Sequence, residues 1–135
     1  MATTHYVPTS SLSSKPQGEQ VELRAEKPQT ALRVWLADLT YTQQTIASDA
    51  MPTGIGGIAT FAESAIEFEK PIRIFKYPEK LAEALERDGI PDIIGFANYV
   101  WNARLSYEIA KVIKRRSPKT VVVFGGPNYP VVADE

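Results

Sequence analysis

The chain has 135 residues, of which 44% are hydrophobic, enough for one domain with a buried core. Its 15 basic and 16 acidic residues leave a net charge of −1, which argues against nucleic acid or an anionic membrane surface as a partner. The absence of cysteine excludes disulfides, zinc–thiolate sites and a cysteine-held iron–sulfur cluster within these residues. No apolar stretch reaches the roughly 20 residues that span a bilayer, and no secretory pattern is present, so we expect a soluble cytoplasmic protein.

The first 29 residues differ in composition from the rest of the chain. They are rich in Thr, Ser, Pro, Gln and charge and show almost no apolar periodicity. This pattern predicts a flexible polar tail over residues 1–29, followed by one domain over residues 30–135. The single histidine, His5, lies in this tail, where we expect a solvated side chain rather than a ligand.

Four short apolar runs predict β-strands at residues 34–39, 72–77, 92–97 and 120–124. The first, third and fourth are nearly all apolar, as expected of central strands that helices bury on both faces. The second contains Arg73 and Lys76, which suit an edge position because charge discourages unwanted strand pairing.

Helical periodicity fills the three intervals between these strands. After Pro52, apolar residues recur at helical spacing through Phe68 until Lys70-Pro71, and we expect Phe61 of this helix to be in the core with Trp35. Pro78 opens a second helix, which Gly89 is predicted to cap, and Asn98 or Asn102 is predicted to cap a third.

The β-α-β-α-β-α-β order predicts an α/β fold with a parallel sheet and right-handed crossovers. We expect a flavodoxin-like (Rossmann-type) three-layer arrangement with strand order 2-1-3-4. The chain stops before a fifth strand, so the domain is expected to be truncated. The fourth strand would then carry an unpaired apolar edge, which predicts self-association.

In such a sheet, ligands bind at the carboxyl edge, where the loop after Asp38 begins. A flavodoxin-like nucleotide or flavin site is one alternative, because Thr40, Thr42 and Thr45 have the T-x-T-x-x-T spacing. Flavin phosphate binding requires a helix directly after that loop, however, and here the helix is delayed until Pro52.

Two other signatures of this topology match less well. The segment from Gly54 to Ala59 has the spacing G-x-G-x-x-A of a dinucleotide site, but it begins well after the first strand and lacks an acid at the end of the second. A phospho-accepting receiver domain requires an aspartate where the third strand ends, and this chain has Asn98 there. A non-catalytic interaction module remains the alternative from another class.

Three segments carry a more specific resemblance. They are the P-x-G-[IL]-G opening of the first helix at residues 52–56, the G-[FL]-[SA]-N-Y-x-W-N segment at 95–102, and the G-G-P-N turn at 125–128. Together with the run from Trp35 to Tyr41, they resemble the N-terminal cobalamin-binding domain of cobalamin-dependent radical S-adenosylmethionine enzymes. The resemblance extends roughly from Leu32 to the end of the chain.

This resemblance implies a corrinoid across the carboxyl edge of the sheet. Glycines permit close approach of the macrocycle, polar groups hydrogen-bond its amide arms, and aromatic rings cover its apolar parts. The residues in these roles would be Gly54, Gly56, Gly125 and Gly126; Asp38, Thr40, Thr42, Asn98, Asn102 and Asn128; and Tyr41, Tyr99 and Trp101.

The chain departs from the D-x-H-x-x-G motif with which mutases and methionine synthase ligate cobalt. Thr40 stands at the histidine position and Gln43 at the glycine. The resemblance therefore implies binding in the base-off form without a histidine ligand, and we expect no protein metal ligand here. The S-adenosylmethionine and the 4Fe–4S cluster of a parent enzyme would be held by a downstream radical domain, so we expect this fragment alone to be non-catalytic.

Overall fold

The computed structural model describes residues 26–41 and 51–128. Within them, the elements in chain order are β1 (Gln29–Thr30), β2 (Val34–Ala37), α1 (Thr53–Ala65), β3 (Glu67–Phe68), β4 (Arg73–Phe75), α2 (Pro78–Arg87), β5 (Ile93–Ala97), α3 (Ala103–Arg116) and β6 (Val121–Gly125). Most of the predicted tail, with His5, lies outside the described residues, as do Thr42, Gln43 and Thr45.

The main sheet has four strands in the order β4-β2-β5-β6, and every neighbouring pair is parallel. The predicted α/β class with a parallel sheet is therefore confirmed. The register places Trp35 of β2 beside Ile94 of β5, and Ile94 beside Val122 of β6. The carboxyl ends of these strands thus meet at one edge, where Asp38, Asn98 and Gly126 follow them.

One face of the sheet is closed by α2 and α3. Trp35, Ile94 and Phe96 of the strands pack there against Leu81 of α2 and Ile113 of α3, and none of these side chains is more than 3% exposed. The predicted core position of Trp35 is confirmed. At β4, Arg73 lies over the Trp35 ring at 4.7 Å and pairs with Asp88, so the edge strand carries its charge as predicted.

Among residues 26–41 and 51–128, the opposite face is covered over part of its width, by α1 alone. Ile55 and Ala59 pack there on Leu36 and Ala97. Phe61 is 76% exposed, so the predicted core position of Phe61 was wrong. Helical spacing identified an apolar helix correctly, but the side of α1 that carries Phe61 meets no other element of the described chain.

The same half-covered face explains a second correction. The fourth predicted strand, β6, is not buried on both faces, because Val121 and Val123 are about half exposed while Val122 and Phe124 pack toward α3. In the parts of the chain that the structure describes, no helix covers this face over β6. We call the surface formed by Ile58, Phe61, Val121 and Val123 the open face.

The first helix is also shorter than its apolar pattern predicted. It ends at Ala65, and Phe68, which the pattern assigned to the helix, lies in β3. There β3 pairs in parallel with β1, as a separate two-stranded sheet. Gln29, which the sequence pattern assigned to the tail, lies opposite Glu67 in this sheet. Its Nε2 donates a 3.0 Å hydrogen bond to the Glu67 carboxylate. Tertiary pairing therefore overrides the local helical signal here.

The second helix follows its sequence signals closely. Pro78 is the first helical residue, and Gly89 directly after the C-cap has a φ of +79°, the left-handed conformation that favours glycine. Within the described ranges, none of the helices is both long and apolar enough to cross a membrane.

Candidate functional site

The carboxyl edge of the sheet is built from the loops that follow β2, β5 and β6. The backbone of Asn98 joins the last two loops, because its N–H donates to the carbonyl of Gly125 at 2.6 Å and its own carbonyl accepts from the N–H of Asn128 at 3.2 Å. The side-chain Nδ2 of Asn98 donates to the carbonyl of Asn128 at 2.9 Å. Asn98 therefore fixes the position of the G-G-P-N turn from beneath.

Asn102 joins the loop after β5 to the loop after β2. Its Oδ1 accepts from the N–H of Tyr99 at 2.9 Å, and its Nδ2 donates to Asp38 Oδ1 at 3.3 Å and to the carbonyl of Leu39 at 3.2 Å. Asn102 is the N-cap residue of α3, but its side chain makes no capping hydrogen bond to the helix. Because it is fully buried and its amide is fully paired, the structure gives Asn102 a positioning role.

Asp38 and Thr40 begin the loop after β2. The N–H of Asp38 donates to the carbonyl of Phe75 at 2.9 Å, and that of Thr40 donates to the carbonyl of Lys76 at 3.0 Å, so the loop continues along the end of β4. Burial raises the pKa of the Asp38 carboxyl, and the positive charge of Lys76 opposes part of this shift. Asp38 is thus a half-buried acceptor with one oxygen held by Asn102.

A groove of about 410 Å³ lies between α1 and the sheet and reaches this edge. Its walls are mostly apolar: Val34 and Leu36 of β2, Ile55 and Ile58 of α1, and Val123 of β6 line it. At the carboxyl edge its lining changes to Asp38, Tyr99 and the glycines Gly54, Gly125 and Gly126. An apolar cavity with a few polar groups at its mouth is the usual form of a site for a small organic ligand.

The four predicted glycines, of which all but Gly56 line the groove, fall into two kinds. A Cβ added at Gly54, Gly56 or Gly125 would meet nothing within 4 Å, so these positions leave open space that a ligand can occupy. Gly126 has a φ of +131°, and a Cβ there would lie 2.8 Å from the Asn98 carbonyl oxygen. Gly126 is therefore required by the turn itself, whereas the other three are not required by packing.

Two of the three predicted aromatic residues contact each other, and one of these, Tyr99, lines the groove. Tyr99 and Trp101 stack with ring centroids 4.5 Å apart and an interplanar angle of 5°. Trp101 is 62% exposed, and Tyr41 is also exposed, so both rings face solvent, and neither lines the groove. Of the predicted site residues, only Thr42 lies outside the described ranges.

Sequence reasoning predicted the groove mouth but not the groove itself. Gly95 and Ile58 were not predicted as site residues, although both line the groove. A Cβ at Gly95 would lie 2.8 Å from Leu36 Cδ2, so this glycine keeps the groove floor flat. The available signal was the composition of α1, which has Glu63 as its single charged residue among 13.

The donor set at this edge is made of oxygen and amide groups. Asn98 is fully buried, and its Oδ1 lacks a hydrogen-bond partner, so one buried acceptor near the G-G-P-N turn remains unsatisfied. Among residues 26–41 and 51–128, no three His, Cys, Asp or Glu side chains form a group that could hold a metal ion. The edge can therefore accept and donate hydrogen bonds around an organic ligand.

No family model matches the chain. Over 86 residues it is 31% identical to the cobalamin-dependent radical SAM methyltransferase TokK of Streptomyces tokunonensis. It is 29% identical, again over 86 residues, to the 2-(S-pantetheinyl)-carbapenam-3-carboxylate methyltransferase of Streptantibioticus cattleyicolor. Each match covers 59% of this chain and 12% of the relative, so the chain spans only about an eighth of the curated relatives it matches.

Both matches agree with the resemblance carried by the three sequence segments. The resemblance predicted from the sequence is confirmed: over 86 residues the chain is similar to a cobalamin-dependent radical SAM methyltransferase and to a second methyltransferase.

Proposed function

We propose that this chain is a corrinoid-binding module that holds cobalamin base-off and without a histidine ligand. The observation that carries the proposal is the apolar groove of about 410 Å³ that opens at the carboxyl edge beside Gly54 and Gly125. The relationship to cobalamin-dependent enzymes supports it, as does the position of the groove where ligands bind in open α/β sheets.

The shape and polarity of the groove suit the nucleotide tail of cobalamin. In the base-off form the benzimidazole leaves the cobalt, and a flat aromatic group of this kind needs a narrow apolar slot. Val34, Ile58 and Val123 supply apolar walls, and the flat floor at Gly95 allows a ring to lie against the backbone. The tail would enter past Gly54, where no side chain occupies the space.

The edge above the groove suits the macrocycle and its amide arms. Asp38 and Thr40 offer acceptors, and the unsatisfied Oδ1 of Asn98 needs a donor such as a primary amide N–H. Tyr99 and Trp101 offer a stacked apolar surface at the rim. Asn102 acts behind this surface, by holding Asp38 and the Leu39 carbonyl in place.

Thr40 stands where the D-x-H-x-x-G motif has the histidine that ligates cobalt. A threonine hydroxyl is a much poorer ligand for cobalt than an imidazole is. We therefore propose that the protein supplies no side-chain ligand to the cobalt. When bound, the corrinoid supplies the redox and methyl-transfer chemistry of its cobalt. The residues of this chain bind and orient it.

The remaining chemistry is proposed for a longer parent enzyme. S-adenosylmethionine and a 4Fe–4S cluster would belong to a downstream radical domain, and this fragment would be non-catalytic by itself. We also propose a cytoplasmic location, in keeping with a net charge of −1 and no cysteine.

The test is retention of hydroxocobalamin after desalting, read by the visible spectrum of the protein fraction. We expect a near-stoichiometric corrinoid spectrum with the features of the base-off form. Gly54→Leu should abolish retention, because its side chain would enter the groove mouth.

Gly57→Leu is the matched control, since Gly57 lies one turn along the same helix, also has open space around its Cβ position and does not line the groove. Loss of corrinoid from the wild-type chain, or equal retention by both variants, would contradict the proposed site. A retained yellow flavin would favour the flavodoxin-like alternative instead.

A further inference from the structure

The groove between α1 and the sheet has polar side chains at one end. Among the described residues that line it, only Asp38 and Tyr99 carry them, and both lie in loops after strands, at the carboxyl edge. Toward its other end the groove is lined by Val34 and Ile93, the first residues of β2 and β5. The lining therefore becomes entirely apolar along the length of the groove.

The backbone beneath this apolar part is already hydrogen-bonded. Gly95, in the middle of β5, lies beside Leu36 of β2 and Val123 of β6. Because β5 pairs with a strand on each side, its N–H and C=O groups are used within the sheet. A flat group lying on Gly95 would thus contact paired backbone and alkyl side chains, and the described strands would offer it no free donor or acceptor.

The polar side chains at the carboxyl edge are displaced from this position. Asp38 follows Leu36, the neighbour of Gly95, by two residues, which is about 7 Å at the strand rise of about 3.3 Å per residue. Asn102 holds one oxygen of Asp38 at the edge, and the ring of Tyr99 is stacked on Trp101. A hydrogen bond spans about 3 Å, so these side chains can serve groups at the edge but not a group on Gly95.

Corrinoid tails end in bases that differ in polarity more than in size. Dimethylbenzimidazole, the base of cobalamin, and adenine are both flat, fused two-ring systems. Dimethylbenzimidazole carries methyl groups on its outer edge, where adenine carries an exocyclic amine and further ring nitrogens. A donor or acceptor buried without a partner loses its hydrogen bonds to water, and this loss weakens binding. The polarity of the groove can therefore separate two bases that its size cannot.

We propose that the groove selects corrinoids by the polarity of the tail base, favouring an apolar base such as dimethylbenzimidazole over adenine. The inference rests on the proposed function, because the tail must lie in the groove. Ile58 and Val123 determine the selection through the alkyl surface that they present there. Asp38 and Tyr99 contribute equally to the binding of both corrinoids, since the two ligands differ only in the base.

Equilibrium dialysis of the chain against cobalamin, adeninylcobamide and cobinamide tests the selection. The tail of adeninylcobamide carries adenine, and cobinamide has no tail base. All three are reduced to cobalt(I), a state in which no base is bound to the metal, so the cost of detaching a base does not enter the comparison. We expect cobalamin to bind at least about tenfold more tightly than adeninylcobamide, within the range over which apolar pockets reject an added polar group.

Cobinamide separates a failure of this inference from a failure of the proposed function. If cobalamin binds no more tightly than cobinamide, or if no corrinoid binds, both fail together, because the tail then gains nothing from the groove. If adeninylcobamide binds as tightly as cobalamin or more tightly, and both bind more tightly than cobinamide, the proposed function stands and the selection is overturned.

A polar side chain placed in the groove should reduce the selection. Ile58→Gln puts an amide at a lining position and gives adenine a hydrogen-bond partner, so the preference for cobalamin over adeninylcobamide should fall at least about threefold. Phe61→Gln is the matched control, since Phe61 is also an exposed apolar residue of α1 but does not line the groove. It should leave the preference unchanged.

Both variants should remain folded, because Ile58 and Phe61 are 60% and 76% exposed, and circular dichroism checks this. A preference that Ile58→Gln leaves unchanged, or that both variants lower equally, would overturn the assignment of the selection to the groove.

Discussion

The two faces of the sheet differ in the helices that cover them. The closed face is covered by α2 and α3, whose outer surfaces are charged: α3 alone has six charged residues among 14. Within the described residues, the other face has only α1, with one charged residue among 13, and Phe61 of α1 points into solvent. A helix that is apolar on most of its surface needs contacts on more than one side. The closed face therefore contributes most of the buried core, and the half-covered face carries the groove in which we propose that the corrinoid tail binds.

Replacing one phenylalanine on each face of the sheet should give the largest difference in the free energy of unfolding. Phe96 of the closed face is 2% exposed, and it stacks on Phe124 at 5.4 Å. Phe96→Ala should lower the free energy of unfolding by about 3 to 5 kcal/mol, because it leaves a large cavity. Phe61→Ala should change it by less than about 0.5 kcal/mol. Urea denaturation monitored by circular dichroism measures both, and a cost of Phe61→Ala near that of Phe96→Ala would mean that Phe61 is buried in solution.

Replacing the two neighbouring glycines of the G-G-P-N turn should give a smaller difference in stability. Gly126→Ala should cost about 1 to 3 kcal/mol, because its φ is +131° and its Cβ would lie 2.8 Å from the Asn98 carbonyl oxygen. Gly125→Ala should be close to neutral, since its Cβ meets nothing within 4 Å. Thermal unfolding of both variants tests this, and similar melting temperatures would refute the assigned difference.

The smallest expected effect comes from the pH dependence of Asp38. Burial raises the pKa of this carboxyl, so the folded state binds the proton more tightly than the unfolded state. Stability from this group is therefore present at low pH and is lost as pH rises through the raised pKa. Asp38→Asn removes the charge and keeps an acceptor for Asn102, so its stability relative to wild type should rise with pH across that interval.

The pKa of the exposed residue Asp88 is shifted in the opposite direction to that of Asp38. Hydrogen bonds from Arg87 and Arg73 lower its pKa to about 2. Its contribution to stability is therefore fully present above pH 3.8, the ordinary aspartate pKa, and is lost as the pH falls toward 2. Denaturation of Asp88→Asn between pH 2 and 3.8, and of Asp38→Asn above pH 3.8, should give slopes of opposite sign relative to wild type. Slopes of equal sign would contradict the assigned burial of Asp38.

The strands and the parallel sheet were predictable because their signals are local. Continuous apolar runs such as the one beginning at Val34 are typical of buried strands, and Pro78 and Gly89 mark the ends of α2 by their backbone restrictions. The failures were of another kind. Phe61 and Phe68 have helical spacing, but spacing does not reveal which side of a helix is covered, or that β1 will pair with residues after Ala65.

In the candidate site, too, the residues marked by local sequence signals were predictable, and the contacts that depend on tertiary structure were not. Gly54, Asn98 and the G-G-P-N turn were predicted from strand ends and helix starts, and the structure brings them to one edge. The positioning role of Asn102 was not predictable, because it depends on contacts with Asp38 and Leu39, more than 60 residues away in sequence. The groove also depends on the lack, among the described elements, of a helix over this face of β6.

The central claim, that the groove holds the nucleotide tail of cobalamin, is tested most directly by comparing cobalamin with cobinamide, which lacks that tail. Equilibrium titration, followed by the visible spectrum, should show cobalamin bound at least about tenfold more tightly, or 1.4 kcal/mol. Gly54→Leu should remove this preference while Gly57→Leu retains it. Equal affinity of the wild-type chain for the two corrinoids would contradict the account.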